Sequence, residues 1–484
     1  MPKFHIDAHS GNDSNSGLSP ALAWKSLSRA RKQALKPGDS LLLKRGCVWK
    51  GGLKISGQGR KGNPITLETY GSGPRPRLVS GGNFIITNDG PVSWWLIKGF
   101  ELKGASNYDP HRKGPGHNHG IIFSQSKHSE GMVIEDCLIH EVDGAGIVFS
   151  AETGGITVFD SWTVRDCEVF NAGTGITTHG PWPPGKNADR CHSRFLITGC
   201  RVHDIATDGI VLSHCRDGVI EYCTACRTGI GITKRSPVGI WYFMARRCVI
   251  QFCESYHNYS AGCIADGGGF DLDGGCIDCV MQYNYSHDNG GAGFLICSYE
   301  PREAPCTGCI TRFNISINDG RANDYPSILF WQAINCKTYN NTCISRVSSP
   351  LKFISETHGH VIANNVFIID SERDIPVVKS LFALDSNTFR NNIYFKTGGK
   401  TRFEVRDQKK MNMSDFINLV RSKGELYANP KLSSLTIQGI IPKKGSPCTG
   451  KGIRLPGMGN RDYFGVPIDK SARPPVGCAL PMKR

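Results

Sequence analysis

Asp271 and Asp273 stand two residues apart in the run Asp266-Gly-Gly-Gly-Phe-Asp-Leu-Asp-Gly-Gly, and that spacing puts both carboxylates on one side of an extended strand. Two carboxyl groups so placed suit cleavage of a glycosidic bond. One acid protonates the leaving oxygen, while a second carboxylate attacks the sugar or activates water. Residues i and i+2 of a strand have Cα atoms roughly 6.5 to 7 Å apart, between the retaining and inverting separations, so the spacing leaves the stereochemistry open. A like-charge pair this close is expected to raise the pKa of one member, which would supply the acid. The same pair could instead ligate Ca²⁺, since paired carboxylates are ordinary hard-cation ligands.

Neighbouring segments supply the rest of a sugar site. If Ile121/Phe123, Ile147/Phe149, Ile210/Leu212, Ile240/Tyr242, Phe270/Leu272, Phe294/Ile296 and Ile328/Phe330 face inward, the residues between them face outward. Those outward positions include His179, Trp241 and Phe243, Asp271 and Asp273, Leu295 and Cys297, Leu329 and Trp331, then Lys352. Outward aromatics gathered at one place ask for a ligand, and Trp241, Phe243 and Trp331 could stack on sugar faces. The longer connections 224–238, 254–268 and 298–308 bring Lys234, Arg235, Asp266, Glu300 and Arg302 as cleft walls. His179 and Glu300 join Asp271 and Asp273 as catalytic candidates. Trp241, Phe243, Trp331, His214, Lys234, Arg235, Asp266, Arg302 and Lys352 are the substrate-binding candidates.

The scaffold that must position them is a repeat. Cys137, Cys167, Cys200, Cys223, Cys253, Asn284, Asn314, Asn341, Asn365 and Asn392 are anchors spaced by 30, 33, 23, 30, 31, 30, 27, 24 and 27 residues. Most are followed by a second block such as Gly209-Ile-Val-Leu, Gly239-Ile-Trp-Tyr or Gly269-Phe-Asp-Leu. Period-two alternation at a drifting period of this length marks a solenoid of short strands. The unit is too short for a propeller blade and lacks a 3.6-residue apolar period, so neither a propeller nor a helical repeat fits. The sequence predicts an all-β, right-handed parallel β-helix of about ten rungs, in which the anchors stack as a ladder at about 4.8 Å. Residues 1–80 read as an N-terminal cap with a short helix over Ala21–Ala34, 81–396 as the β-helix, and 397–484 as a C-terminal capping segment or irregular tail that includes a helix over Met413–Lys423.

The formal net charge of +15 is spread along the chain, which suggests an anionic partner. Aromatic content of 9% is modest and no nucleic-acid module is recognisable, so an acidic polysaccharide fits better than DNA or RNA. No stretch is apolar enough to span a membrane, and Met1-Pro-Lys-Phe-His lacks the pattern of a signal peptide. The protein is expected to be secreted or periplasmic with its leader absent from this sequence, a cytosolic location being the alternative.

Three Cys-x-x-Cys pairs occur, Cys223/Cys226, Cys276/Cys279 and Cys306/Cys309, and the last two are 30 residues apart. They should therefore stack on neighbouring rungs, where four thiols could hold a structural Zn²⁺, form two disulfides or stay reduced. His111, His117 and His119 read as solvated loop histidines. His140-Glu141, His203-Asp204, His257-Asn258 and His287-Asp288 read as one repeated polar turn.

The opening Phe4-His-Ile-Asp, Gly11-Asn-Asp, Ala23-Trp-Lys-Ser-Leu and Pro37-Gly-Asp-Ser-Leu-Leu-Leu resembles the N-terminal cap of secreted β-helix carbohydrate-active enzymes. The run from Asp266 to Gly275 with Gln282-Tyr-Asn-Tyr-Ser-His-Asp-Asn is similar to a signature of bacterial β-helix proteins near glycoside hydrolase family 141. The tail Ser446-Pro-Cys-Thr-Gly, Arg461-Asp-Tyr-Phe-Gly-Val-Pro and Val476-Gly-Cys resembles their usual ending, with Cys448 and Cys478 where Ala is commoner. The resemblance implies a pectate-lyase-like fold and activity on carbohydrate. With the paired carboxylates it leads to the expectation of a glycoside hydrolase that needs no cofactor and acts on an anionic, uronate- or sulfate-bearing glycan. The alternatives are a Ca²⁺-assisted polysaccharide lyase with Lys234, Arg235 or Lys352 as base, and a noncatalytic glycan-binding solenoid.

Overall fold

A computed structural model of the chain describes residues 1–481 except 81, 105–107, 112–115, 155, 182–187, 232–236, 261–264, 299–304 and 407. Two compact units are present, Met1–Thr233 and Lys234–Arg484. In each, a rung contributes three short strands that pair in parallel with their counterparts one rung away, the arrangement of a right-handed parallel β-helix. In the second unit Val280–Gln282, Tyr285–His287 and Phe294–Cys297 form one rung, and Ile310–Arg312, Ile315–Ile317 and Ile328–Trp331 form the next. All three registers run in step: Met281 lies opposite Thr311, Ser286 opposite Ser316 and Phe294 opposite Ile328.

Period-two alternation sets the core as expected. Ile121, Phe123, Ile147, Phe149, Ile210 and Leu212 are buried in the first unit, and Ile240, Tyr242, Phe270, Leu272, Phe294, Ile296, Ile328 and Phe330 in the second.

The anchors form a ladder, and its chemistry changes along the chain. In the second unit the backbone N–H of Asn284, Asn314, Asn341 and Asn365 each donates to the side-chain oxygen of the next anchor at 2.9 to 3.0 Å. The amide nitrogens of the same residues donate to that oxygen at 3.0 to 3.2 Å. A Cys anchor has no amide to accept or pass on such a bond, although the Cys253 N–H donates to Asn284 Oδ1 at 3.0 Å where the ladder changes over. Each anchor thiol donates to the carbonyl two residues back, as Cys137 does to Glu135 at 3.3 Å. Every residue just before an anchor turns the corner of the rung with φ in the left-handed region, from Asp136 at 52° to Asn391 at 55°. Asp and Asn tolerate that conformation, whereas Phe252, Tyr283 and Phe313 do so at a cost. Ring stacking from Phe252 to Tyr283 at 5.2 Å and from Tyr283 to Phe313 at 5.6 Å offsets it.

The repeated polar turn is a hydrogen-bonding device between rungs. His140, His203 and His287 each bridge the residue that follows and a Glu one rung earlier; for His287 these are Asp288 at 3.0 Å and Glu254 at 3.3 Å. Burial pulls the His287 pKa down, but Asp288 and Glu254 outweigh it and lift the value from 6.5 to about 9. A raised folded-state pKa gives stability that is complete below pH 6.5 and is lost as pH rises through about 9. The half-exposed Glu254 screens the pair, so the loss should be on the order of 2 kcal/mol. Unfolding free energy measured across that window should fall for wild type and stay flatter for His287→Gln.

The ends differ in detail from expectation. The helix expected over Ala21–Ala34 is limited to a single turn at Pro20–Leu22 and a helix at Leu27–Arg31 capped by Ser26. Trp24 is the cause: it is fully buried and bridges Ile6 as a strand residue, which holds the chain extended between the two turns. Strand pairing begins early, with Lys3–Ile6, Ser40–Lys44 and Ile65–Tyr70 already in register within residues 1–80. The second helix is Met413–Val420. Beyond it the tail packs on the second unit through Ile440, Cys448, Val476 and Cys478 against Ile315, Ile344 and Ile368. Among the described residues no helix is long and apolar enough to cross a membrane.

Candidate active site

The second unit brings the paired carboxylates together. Gly268–Leu272 pairs on one side with Val238–Arg246, placing Trp241 opposite Asp271, and on the other with Phe294–Cys297, placing Leu295 opposite Asp271. Asp273 follows directly on the same side of the strand, next to Cys297. Oxygens of Asp271 and Asp273 and the Cys297 sulfur all lie within 4.8 Å of one another. Asp273 Oδ1 accepts the Gly274 N–H at 2.6 Å and the Cys297 S–H at 2.8 Å. Trp241 and Phe243 are half-buried with ring centroids 6.4 Å apart, and Trp331 lies in register with Cys297.

Both carboxylates are far less accessible than an outward face implies: Asp271 is 1% exposed and Asp273 0%. The positions that follow on this face are apolar. Ala292, Leu295, Cys297 and Leu329 form an apolar cluster against which Tyr325, Trp331 and Ile354 pack. Asp266 is also buried and adds a third carboxylate at the corner before Gly267, with φ of 56°. Burial pushes the Cys297 thiol well above its usual pKa, and Asp273, Asp271 and Asp266 push it further, so it stays a protonated donor. Burial, helped by Asp266, Cys297 and Asp271, likewise lifts the Tyr325 phenol to about 12.

The other candidates fall differently. Lys352 lies on the same column, but Leu295 and Leu329 intervene between it and Asp271, a separation of three rungs or roughly 14 Å. Its ammonium is 2.7 Å from Asp324 Oδ2 and also donates to the Asp324 carbonyl, while burial lowers its pKa. His179 and His214 belong to the first unit. His179 is exposed, and its carbonyl accepts from His192 Nε2 at 2.9 Å. His214 is buried and is held near pKa 4, first by burial and then by His179. Lys234, Arg235, Glu300 and Arg302 lie outside the described residues.

Sequence pattern missed Tyr325, Asp324 and His119. Tyr325 and Asp324 sit ahead of the strand Ile328–Trp331, outside the repeating block, so no periodicity flags them. His119 opens the strand His119–Gln125 and accepts the Ala145 N–H at 2.9 Å, so it is not a solvated loop residue.

Two groups could hold a metal in the second unit. Asp271, Asp273 and Cys297 offer a hard cation only two carboxylates beside a thiol that stays protonated, a poor match to the six or more oxygens that Ca²⁺ takes. Cys276, Cys279, Cys306, Cys309 and Cys336 are buried free thiols. The pairs Cys276/Cys279 and Cys306/Cys309 do sit on adjacent rungs, bridged through Ile277 and Thr307, but the described thiol cluster is Cys306, Cys309 and Cys336.

Residues 188–311 match the family model for the right handed beta helix region. The chain is 25% identical over 476 residues to a lacto-N-biosidase of Bifidobacterium longum subsp. longum, covering 75% of this chain and 28% of that protein. It is 38% identical over 226 residues to alpha-1,3-galactosidase A of Akkermansia muciniphila, covering 39% of this chain and 36% of that protein. Thus it spans about a third of the length of either relative. The crystal structure of a GH136 lacto-N-biosidase from Eubacterium ramulus superposes with a TM-score of 0.57 at 19% identity, covering 78% of this chain and 65% of that one. These likenesses establish for this chain a right-handed parallel β-helix of the kind found in carbohydrate-active enzymes.

Proposed function

We propose that the protein is a glycoside hydrolase in which Asp271 and Asp273 cleave the bond by a double-displacement, retaining mechanism. The observation that carries this reading is the close pair itself: carboxylate oxygens within 4.8 Å, in a dry setting beside Trp241, Phe243 and Trp331. An inverting enzyme needs roughly 6.5 to 9.5 Å to seat a water between its two groups, whereas a retaining one uses about 5 to 5.5 Å. Two donors, the Gly274 N–H and the Cys297 S–H, converge on Asp273 Oδ1. Such donation favours an ionised carboxylate, so Asp273 is the nucleophile and Asp271 the acid that protonates the leaving oxygen and later deprotonates the incoming water. Both curated relatives are glycosidases by name.

The lyase alternative loses one of its named bases: Lys352 is ion-paired to Asp324, and its backbone stands three rungs, about 14 Å, from that of Asp271. The test is a glycan panel read at once for reducing ends and for ultraviolet absorbance. Reducing ends without absorbance, undiminished by chelator, support the hydrolase; an absorbing product lost in chelator overturns it.

The charge of +15 favours an anionic glycan. Surface charges are screened over about 10 Å at 0.1 M salt, so KM for such a substrate should rise as salt is added. A KM that is indifferent to salt, with a neutral substrate, would leave the charge without a part in recognition.

A further inference from the structure

Cys306, Cys309 and Cys336 form a triangle of buried thiols that the proposed hydrolysis does not use. The turn Cys306-Thr-Gly-Cys309 brings its two sulfurs to 3.6 Å, Gly308 taking φ of 68° to close it. The third thiol comes from the next rung. Thr307 bridges Ile334, which sets Cys336 directly opposite Cys309 and leaves Ala333, with only a methyl group, opposite Cys306. Cys306 therefore has room to lean towards Cys336, and all three sulfurs lie within 4.8 Å of one another.

We propose that this triangle is a structural site for a thiophilic d¹⁰ cation, Zn²⁺ being the ordinary one. Zinc binds thiolate sulfur at about 2.3 Å, and tetrahedral geometry then puts two such sulfurs about 3.8 Å apart; the Cys306–Cys309 pair already has that spacing. A fourth thiolate is available in Cys279, one rung before Cys309 on the same ladder, because Ile277 bridges Thr307. Cys276 stands outside the triangle, its thiol donating to the Tyr242 carbonyl at 3.4 Å. The square of Cys276, Cys279, Cys306 and Cys309 that the spacing suggests is thus replaced by a set that includes Cys336.

The anchor cysteines provide an internal comparison. Cys137, Cys167, Cys200 and Cys223 follow one per rung in the first unit, and no three of the anchor cysteines form such a triangle among the described residues. A ladder of small apolar side chains needs no more than that arrangement. What sets the second group apart is the triangle itself: Cys223 and Cys226 also form a Cys-x-x-Cys pair, but only Cys306 and Cys309 gain a third sulfur, that of Cys336, within 4.8 Å among the described residues.

The test uses the whole chain, produced in zinc-supplemented cells and purified under reducing conditions. Wild type should retain about one zinc per chain by elemental analysis, and Cys336→Ser and Cys306→Ser should each retain at least about ten-fold less. Cys200→Ser should match wild type. A strong chelator should lower the melting temperature of wild type but leave that of Cys336→Ser unchanged. If the serine variants fail to fold, wild type loaded with Co²⁺ decides, since three or more thiolates give an intense near-ultraviolet charge-transfer band. A wild type without zinc or that band, or folded variants that keep the metal, overturns the site.

Discussion

Asp273→Asn and Asp271→Asn should each lower kcat by on the order of 100-fold or more, the usual share of a group that attacks or transfers a proton. The two losses should differ in kind. A substrate with an activated aryl leaving group needs little protonation, so Asp271→Asn should recover much of its bond-breaking step on it. Asp273→Asn should not, because it lacks the attacking oxygen. A small nucleophile such as azide should instead rescue Asp273→Ala. Fold should persist in both Asn variants, since Asn keeps the volume of Asp and, at position 273, its amide oxygen can still accept from the Gly274 N–H and the Cys297 S–H. Trp241→Ala gives the contrasting result, a higher KM with a smaller change in kcat, because stacking holds the sugar without moving a proton.

The second large effect is on stability. Asn341 is fully buried, and its side chain serves two rungs at once. Its oxygen accepts the N–H of Asn314 at 3.0 Å and the Asn314 amide at 3.1 Å, and its own amide donates to the Thr311 carbonyl at 2.9 Å and to Asn365 at 3.0 Å. Asn341→Ala removes these four bonds and a fifth, from the same amide to the Tyr339 carbonyl at 3.2 Å, and leaves the Asn314 N–H without its acceptor in a dry interior. Stranding buried polar groups costs about 1 to 3 kcal/mol each, so a total loss of about 3 to 5 kcal/mol is expected in denaturant unfolding. A loss below about 1 kcal/mol would mean that water or a rung shift repairs the gap.

How much of this was readable beforehand depended on whether a feature belongs to the repeat. The anchors from Cys137 to Asn392 and the inward pairs such as Ile210/Leu212 recur once per rung, so strand order and register followed from spacing. The position of Asp271 opposite Trp241 and Leu295 followed with them. Burial of the two carboxylates, 1% and 0% exposed, did not, because alternation along a strand says which side a residue faces and not whether that side is covered. The partner of Lys352 was hidden for another reason: Asp324 sits in a connection with no period. Cys336 is not marked by the repeat of the Cys-x-x-Cys pairs, which recur at 30 residues, because it is a single cysteine 27 residues after Cys309. At the N-terminus, helix-favouring residues gave way to one buried Trp24 that needs an extended backbone.

The most direct measurement is mass spectrometry of the products formed from an accepted glycan in heavy-oxygen water, with wild type and Asp273→Asn side by side. Hydrolysis by the carboxylate pair predicts one heavy oxygen at each new reducing end for wild type, an initial product of retained anomeric configuration by NMR, and almost no product from the variant. Unsaturated, unlabelled fragments, or equal turnover by both proteins, would contradict it.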